Sequence, residues 1–250
     1  MWNDTFVEDA RDNDIIILVM GATGAGKSSF INAVAGKDAL TVCHSPTAQS
    51  AIIEHVIVPH PDDAHRRVVF VETPGFDDTY LDDSEILRYT AGWLADSYNM
   101  KKEITGIIYL HEITQTRNPS ETFRAIQLLC GESVYRNMVL ATTKWSNVAE
   151  ARGKEREGLL CASWKGMLDL GSSMCRFLGT RDSGWDIVLL LLDKQPILLQ
   201  IQAEMRGQRS RLAQTHAHIM LVQKEKKAKR RKNTWSWIAR LWSLFSRSRR

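Results

Sequence analysis

Six apolar residues at positions 15–20 (IIILVM) run without interruption into GATGAGKS at 21–28. An apolar strand, a loop of the form G-x-x-x-x-G-K-S and a helix-forming SSFINAVAG must fold as strand, loop and helix, and few folds accept that order with this loop. Glycines at 21, 24 and 26 allow a concave backbone whose N–H groups converge on one point, the geometry that holds phosphate oxygens. The helix that follows turns its N-terminal dipole toward the same point, and Gly36 is placed to end it. Lys27 can reach β and γ phosphates, and the Ser28 hydroxyl can ligate Mg²⁺. The candidate nucleotide contacts here are Gly21, Gly24, Ala25, Gly26, Lys27, Ser28 and Ser29.

Charge divides the chain more sharply than its net +4 suggests. Eleven Lys and Arg fall within residues 224–250 against Glu225 alone, which leaves 22 basic and 28 acidic residues in the rest. The body is therefore near −6 and the tail near +10, an asymmetry that suits an acidic partner for the tail. Cys43, Cys130, Cys161 and Cys175 form no C-x-x-C pair, so reduced thiols and a cytoplasmic setting are expected. The longest apolar runs, 15–20 and 187–192, fall far short of the roughly 20 residues that span a bilayer. Residues 1–14 read as a flexible acidic lead.

Along the body, β-branched runs at SAIIEHVIV and RRVVFVE flank PHPDD and predict a hairpin of adjacent strands. A helix is expected over 84–100, with Ile86, Leu87, Tyr89, Trp93 and Leu94 available for its buried side. ITGIIYL, a helix over 120–130, the strand MVLATT and one helix over 150–171 follow, and DIVLLLL enters a last buried helix. Strands alternating with helices give an α/β fold, a mostly parallel sheet covered by helices on both faces. Ligands of such sheets sit at the carboxyl ends of the strands.

The loops at those ends supply further candidates. Thr47, in the polar loop after the first helix, could complete a Mg²⁺ shell and sense a γ-phosphate; a surface threonine is the plain alternative. Glu72-Thr73-Pro74-Gly75 ends a strand where an acid can hold a metal-bound water and a glycine N–H can meet phosphate. Thr143-Lys144-Trp145-Ser146 ends another, where the Lys144 stem can lie on a purine face.

Taken in order, GATGAGKS, Thr47, ETPGF and TTKWS resemble the G motifs of the translation-factor-related (TRAFAC) GTPases. Around ETPGF the chain looks most like the septin, immunity-associated (GIMAP) and chloroplast-import receptor branch, and YLHEI, LLCGE and LATTKW resemble fungal G-domain proteins of that branch. The resemblance covers about 15–192 and implies a P-loop NTPase G domain binding GTP or GDP with Mg²⁺. Ser28, Thr47 and Glu72 would serve the metal, Lys27 and Thr47 the catalysis, Gly75 the second switch, and Lys144 and Ser146 the base. Three residues depart from the pattern. Glu72 stands for Asp, and Phe76 follows Gly75 where a Ras-like enzyme places a water-orienting Gln. Ser146 stands for the Asp that accepts two hydrogen bonds from guanine, which weakens guanine preference without touching phosphate binding. Slow GTP hydrolysis is expected, with a scaffold of negligible turnover as the alternative. Arg117 resembles in position an arginine inserted across a nucleotide-bridged dimer, which makes it a candidate arginine finger acting through a homodimer at the nucleotide face; a solvated loop arginine is the other reading.

The resulting organisation is a lead at 1–14, a G domain at 15–193, a helical extension at 194–223 starting near Pro196, and a basic tail at 224–250. Leu198, Met205, Leu212 and Ile219 recur every seven residues, with Ile201, Gln208, Thr215 and Val222 between them, a pattern for a weak coiled coil or for a helix folded back on the domain. In the tail, Trp235, Ile238, Leu241, Trp242 and Phe245 oppose a strip of Ser236, Arg240, Ser243 and Arg247, which suits an interfacial helix on an anionic membrane. KKAKRRK keeps nuclear import open as an alternative, and nucleic acid is the less favoured partner.

Overall fold

Successive residues of a strand point to opposite faces, and β1 (Ile15–Gly21), buried along its whole length, serves both. In this computed structural model, which describes residues 11–42, 53–75, 86, 90–94, 96–97, 102–115, 127 and 129–204, Ile15, Ile17 and Val19 pack under Phe30, Ile31 and Val34 of helix α1 (Lys27–Ala35). Ile16, Leu18 and Met20 join Ile86, Trp93 and Leu94 on the opposite face. Each such side chain, fully buried, contributes about 1.5–3 kcal/mol.

The remaining strands are β2 (Glu54–Pro59), β3 (Arg67–Glu72), β4 (Ile104–Glu112), β5 (Met138–Thr143) and β6 (Ser173–Arg176). They form one sheet in the order β2-β3-β1-β4-β5-β6. β2 runs antiparallel to β3, as the predicted hairpin requires, and every other pairing is parallel. α4 (Arg181–Leu192) buries Ile187, Val188 and Leu191 beside α1, while Leu160 of α2 (Glu150–Ser163) and Met167 of α3 (Lys165–Asp169) close the other face. The fold is thus the expected G domain, its strand ends aligned on one side. Gly36 ends α1 as expected, its N–H donating to the Ala33 carbonyl at 3.2 Å.

Three local readings change. The single helix expected over 150–171 is two, α2 and α3, because Trp164 between them leaves helical geometry (φ −94°, ψ 3°) and buries its ring edge-on against Tyr109 and His111. β6 was not anticipated; four half-buried residues, SMCR, carry no alternation to announce a strand. The extension does not become helical at Pro196. Ile197 first pairs with Ile104 of β4, its N–H donating to the Ile104 carbonyl at 2.8 Å, and α5 starts at Gln200 (Gln200–Glu204). Ile201 is fully buried and Gln202 donates to the Leu94 carbonyl at 3.1 Å, so the described part of the extension lies on the domain, with Leu198 exposed.

The end of the acidic lead is tied down as well. Asp14 takes two bonds from Arg67, at 2.9 and 2.7 Å, and Asp12 accepts from Lys102 at 2.9 Å. Helical residues at 86, 90–94, 96–97, 127 and 129–130 fall inside the two predicted helices; Leu87 and Tyr89 lie outside the described residues. Among the described residues no helix is long and apolar enough to cross a membrane.

Candidate functional site

The loops after β1, β3, β4 and β5 meet at the carboxyl edge of the sheet. Gly26 sits in the left-handed region (φ 95°, ψ 27°) at the start of α1, where a side chain would be strained, and the Ala25 N–H closes the turn on the Ala22 carbonyl at 3.0 Å. Lys27 is 7% exposed; its Nζ lies 3.2 Å from the Ala22 carbonyl and 3.4 Å from that of Gly21. A cation folded back over its own loop stands where a phosphate would be cradled. Ser28 is half-buried and Ser29 exposed.

The loop after β3 closes on this cradle. An ideal Cβ at Gly75 would stand 2.5 Å from the Thr23 backbone nitrogen and 2.4 Å from Thr23 Oγ1, so only glycine permits the approach. Glu72 meets the loop from the strand end: the Ser28 hydroxyl donates to Glu72 Oε1 at 3.0 Å. Burial pushes the Glu72 carboxyl above its ordinary value, offset in part by the Lys27 charge and the Ser28 bond. Its second oxygen, Oε2, is buried with no hydrogen-bond partner. An orphaned carboxylate oxygen beside a hydroxyl is a hard oxygen donor set, the kind that magnesium takes together with phosphate, so the residues present fit that ion.

The base side is built differently. The Thr143 hydroxyl donates to the Ala25 carbonyl at 2.8 Å and so fastens the loop after β5 to the phosphate loop. Lys144 adopts the left-handed conformation (φ 58°), and its Nζ is held by Glu112 Oε2 at 2.9 Å. Burial works against the charge of Glu112, but hydrogen bonds from Thr114 and Lys144 and the Lys144 charge hold the carboxyl below its usual range. Trp145 turns aside: its indole N–H donates to Thr142 Oγ1 at 3.0 Å, and Arg176 lies over the ring at 4.1 Å while also gripping Glu157. Ser146 is exposed and directs its hydroxyl to Asn147 Oδ1 at 3.3 Å.

The structure therefore brings Gly21, Gly24, Ala25, Gly26, Lys27, Ser28, Glu72 and Gly75 together and sets Lys144 beside them, while Ser146 stands at the rim. Thr47, Arg117 and Phe76 lie outside the described residues. Glu112, Thr143 and Thr23 were not singled out as site residues from sequence. For Glu112 the end of a predicted strand was a usable signal; Arg176, on the unannounced β6, had none.

The AIG1 family model matches residues 15–155, the stretch that carries every described loop of the site up to the base side. The chain belongs to the AIG1 family. This AIG1 domain is a septin/GIMAP-like P-loop GTPase domain by sequence and by fold. It is similar to Toc33 from Arabidopsis thaliana as a dimerization-deficient mutant, at 15% identity and TM-score 0.59, over 74% of this chain and 88% of that one. Toc33 in complex with GDP and Mg²⁺ matches at 15% identity and TM-score 0.56, over 80% and 92%. The bacterial selenocysteine-specific elongation factor EF-Sec matches at 14% and TM-score 0.50, over 72% of this chain and 28% of the factor. No curated protein matches the chain.

Proposed function

We propose that this AIG1 protein binds GTP and GDP with Mg²⁺ and hydrolyses GTP slowly, as a nucleotide-dependent switch that assembles at a membrane surface. The observation that carries the nucleotide reading is the convergence of Lys27, Ser28 and Glu72 under the Gly21–Gly26 loop, joined by the 3.0 Å Ser28–Glu72 bond. Toc33, which shares the fold, has been solved with GDP and Mg²⁺ and with Mg²⁺ and GMPPNP.

Lys27 would exchange its two carbonyl contacts for phosphate oxygens and stabilise the charge that develops as water attacks the γ-phosphate. The loop N–H groups and the α1 dipole act on the same oxygens. Magnesium held by Ser28, Glu72 and Thr47 would supply charge neutralisation. Lys144 would lay its stem along the base, steadied by Glu112. Phe76, next to Gly75 in sequence, carries no group that orients a water, and this makes turnover slow. Arg117 of a second copy would supply the missing cation. In support, dimerization is important for the GTPase activity of the chloroplast translocon components atToc33 and psToc159. Activity per molecule should rise through a monomer–dimer transition and lose the rise in Arg117→Ala; flat activity removes the dimer.

Single-turnover hydrolysis of GTP and of ATP, with Lys27→Ala as control, tests the enzyme reading. Nucleotide retained without turnover would leave a nucleotide-stabilised scaffold, the second reading, which the lack of a water-orienting group after Gly75 favours. For the tail, binding to anionic liposomes should be lost when the chain is cut after Gln223; equal binding by both forms contradicts the membrane reading.

A further inference from the structure

We propose that Glu72 is a direct ligand of the nucleotide's divalent cation, sharing it with the Ser28 hydroxyl, in a position where an aspartate would reach the ion only through a water. The inference rests on the nucleotide reading above. Magnesium demands near-ideal octahedral geometry with bonds of about 2.0–2.1 Å, which sets neighbouring ligand oxygens about 2.9 Å apart. Ser28 Oγ and Glu72 Oε1 are 3.0 Å apart. The two oxygens already stand at the spacing of an octahedral edge.

The backbone holds them there. Glu72 pairs with Val19 on one side and with Glu54 on the other, and the next residue, Thr73, sends both its N–H (3.1 Å) and its hydroxyl (3.3 Å) to the Val19 carbonyl. Ser28 is fixed in the first turn of α1, whose ladder opens with the Phe30 N–H on the Gly26 carbonyl at 2.9 Å. Both backbones are thus anchored, one in the sheet and one in the first turn of the helix, so only side-chain rotation can part the two oxygens. Removing one methylene would withdraw the carboxylate by about 1.5 Å, the length of one carbon–carbon bond, and open space for a water. The partnerless Oε2 is the second sign of an absent positive ligand, since a buried carboxylate oxygen without a donor costs free energy that a bound cation returns. The Lys27 ammonium also acts on this carboxylate through space and offsets part of the cost of its burial.

The full-length protein loaded with GDP and Mn²⁺ offers a direct count. Electron paramagnetic resonance line broadening in ¹⁷O-water reports how many waters the metal keeps. The expected result is one water fewer in the wild type than in Glu72→Asp, with about tenfold weaker Mn²⁺ retention in the variant. Glu72→Gln, which keeps the length and loses the charge, gives a second comparison should Glu72→Asp fold poorly, and should weaken Mn²⁺ retention at unchanged GDP affinity in the absence of metal. Equal water counts with Mn²⁺ retained overturn the ligand assignment alone. Failure of the wild type to retain Mn²⁺ with GDP overturns both the assignment and the reading of the site.

Discussion

The two ends of the nucleotide face are made of different materials. At the proposed phosphate end the candidate groups are backbone N–H groups, a 7% exposed lysine and a half-buried carboxylate, each carried by strand β1, strand β3 or the first turn of α1. At the proposed base end they are side chains on a short loop. Lys144 is half-buried and steered by Glu112, Trp145 is drawn away under Arg176, and Ser146 points its hydroxyl at its own neighbour. Fixed dipoles recognise charge without reorganising, whereas a lone hydroxyl cannot reproduce the paired acceptor that singles out guanine. The triphosphate should therefore dominate affinity, and the base should tune it.

The largest effect expected from this contrast is at Lys27. Lys27→Ala removes the buried cation, and each hydrogen bond to a charged group is worth about 1.5–3 kcal/mol, so nucleotide affinity should fall roughly tenfold to a hundredfold or more, equally for GTP and ATP. Calorimetric titration checks it; a loss confined to GTP would mean that the two ends are not separable.

Ser146→Asp should sharpen the comparison from the other side. Restoring a paired acceptor should raise the preference for GTP over ATP by about 1–3 kcal/mol, roughly fivefold to a hundredfold, while ATP affinity stays level. Competition between the two nucleotides measures it, and an unchanged ratio would place base recognition elsewhere on the chain.

A smaller effect concerns acid. His111, next to Glu112 on β4, packs edge-on against Trp164 at 5.7 Å, and burial lowers its pKa from 6.5 to about 4. The unfolded chain then binds this proton more tightly than the folded one. The stability associated with a neutral His111 is fully present above pH 6.5 and is lost as pH falls toward about 4. His111→Gln should flatten that part of the stability curve in urea titrations between these values. An unaltered slope would show that protonation of His111 does not drive the loss of stability in acid.

How far the sequence alone could go follows the same division. The phosphate end was legible because its requirements are local: glycines at 21, 24 and 26, Lys27 and Ser28 are consecutive, and Glu72 and Gly75 follow a readable β-branched strand. The base end depends on tertiary partners that no local pattern announces. Glu112 meets Lys144, and Arg176 meets Trp145, only because β4, β5 and β6 are neighbours in the sheet, and β6 is too short to alternate. The break at Trp164 was hidden for a related reason. Its ring finds a slot against Tyr109 and His111, and that burial outweighs the helical continuity suggested by the residues on either side. The register of the extension misled likewise, because a backbone pair between Ile197 and Ile104 competes with helix formation after Pro196.

Whether phosphate contacts carry the affinity and the base contributes little is decided by displacing a fluorescent nucleotide from the wild-type protein with GTP and with ATP. Both should compete in the presence of Mg²⁺, with GTP ahead by roughly tenfold or less, about 1.4 kcal/mol. A preference for GTP of roughly a thousandfold or more would contradict it, and would require a base-reading group that does the work of the carboxylate absent at Ser146.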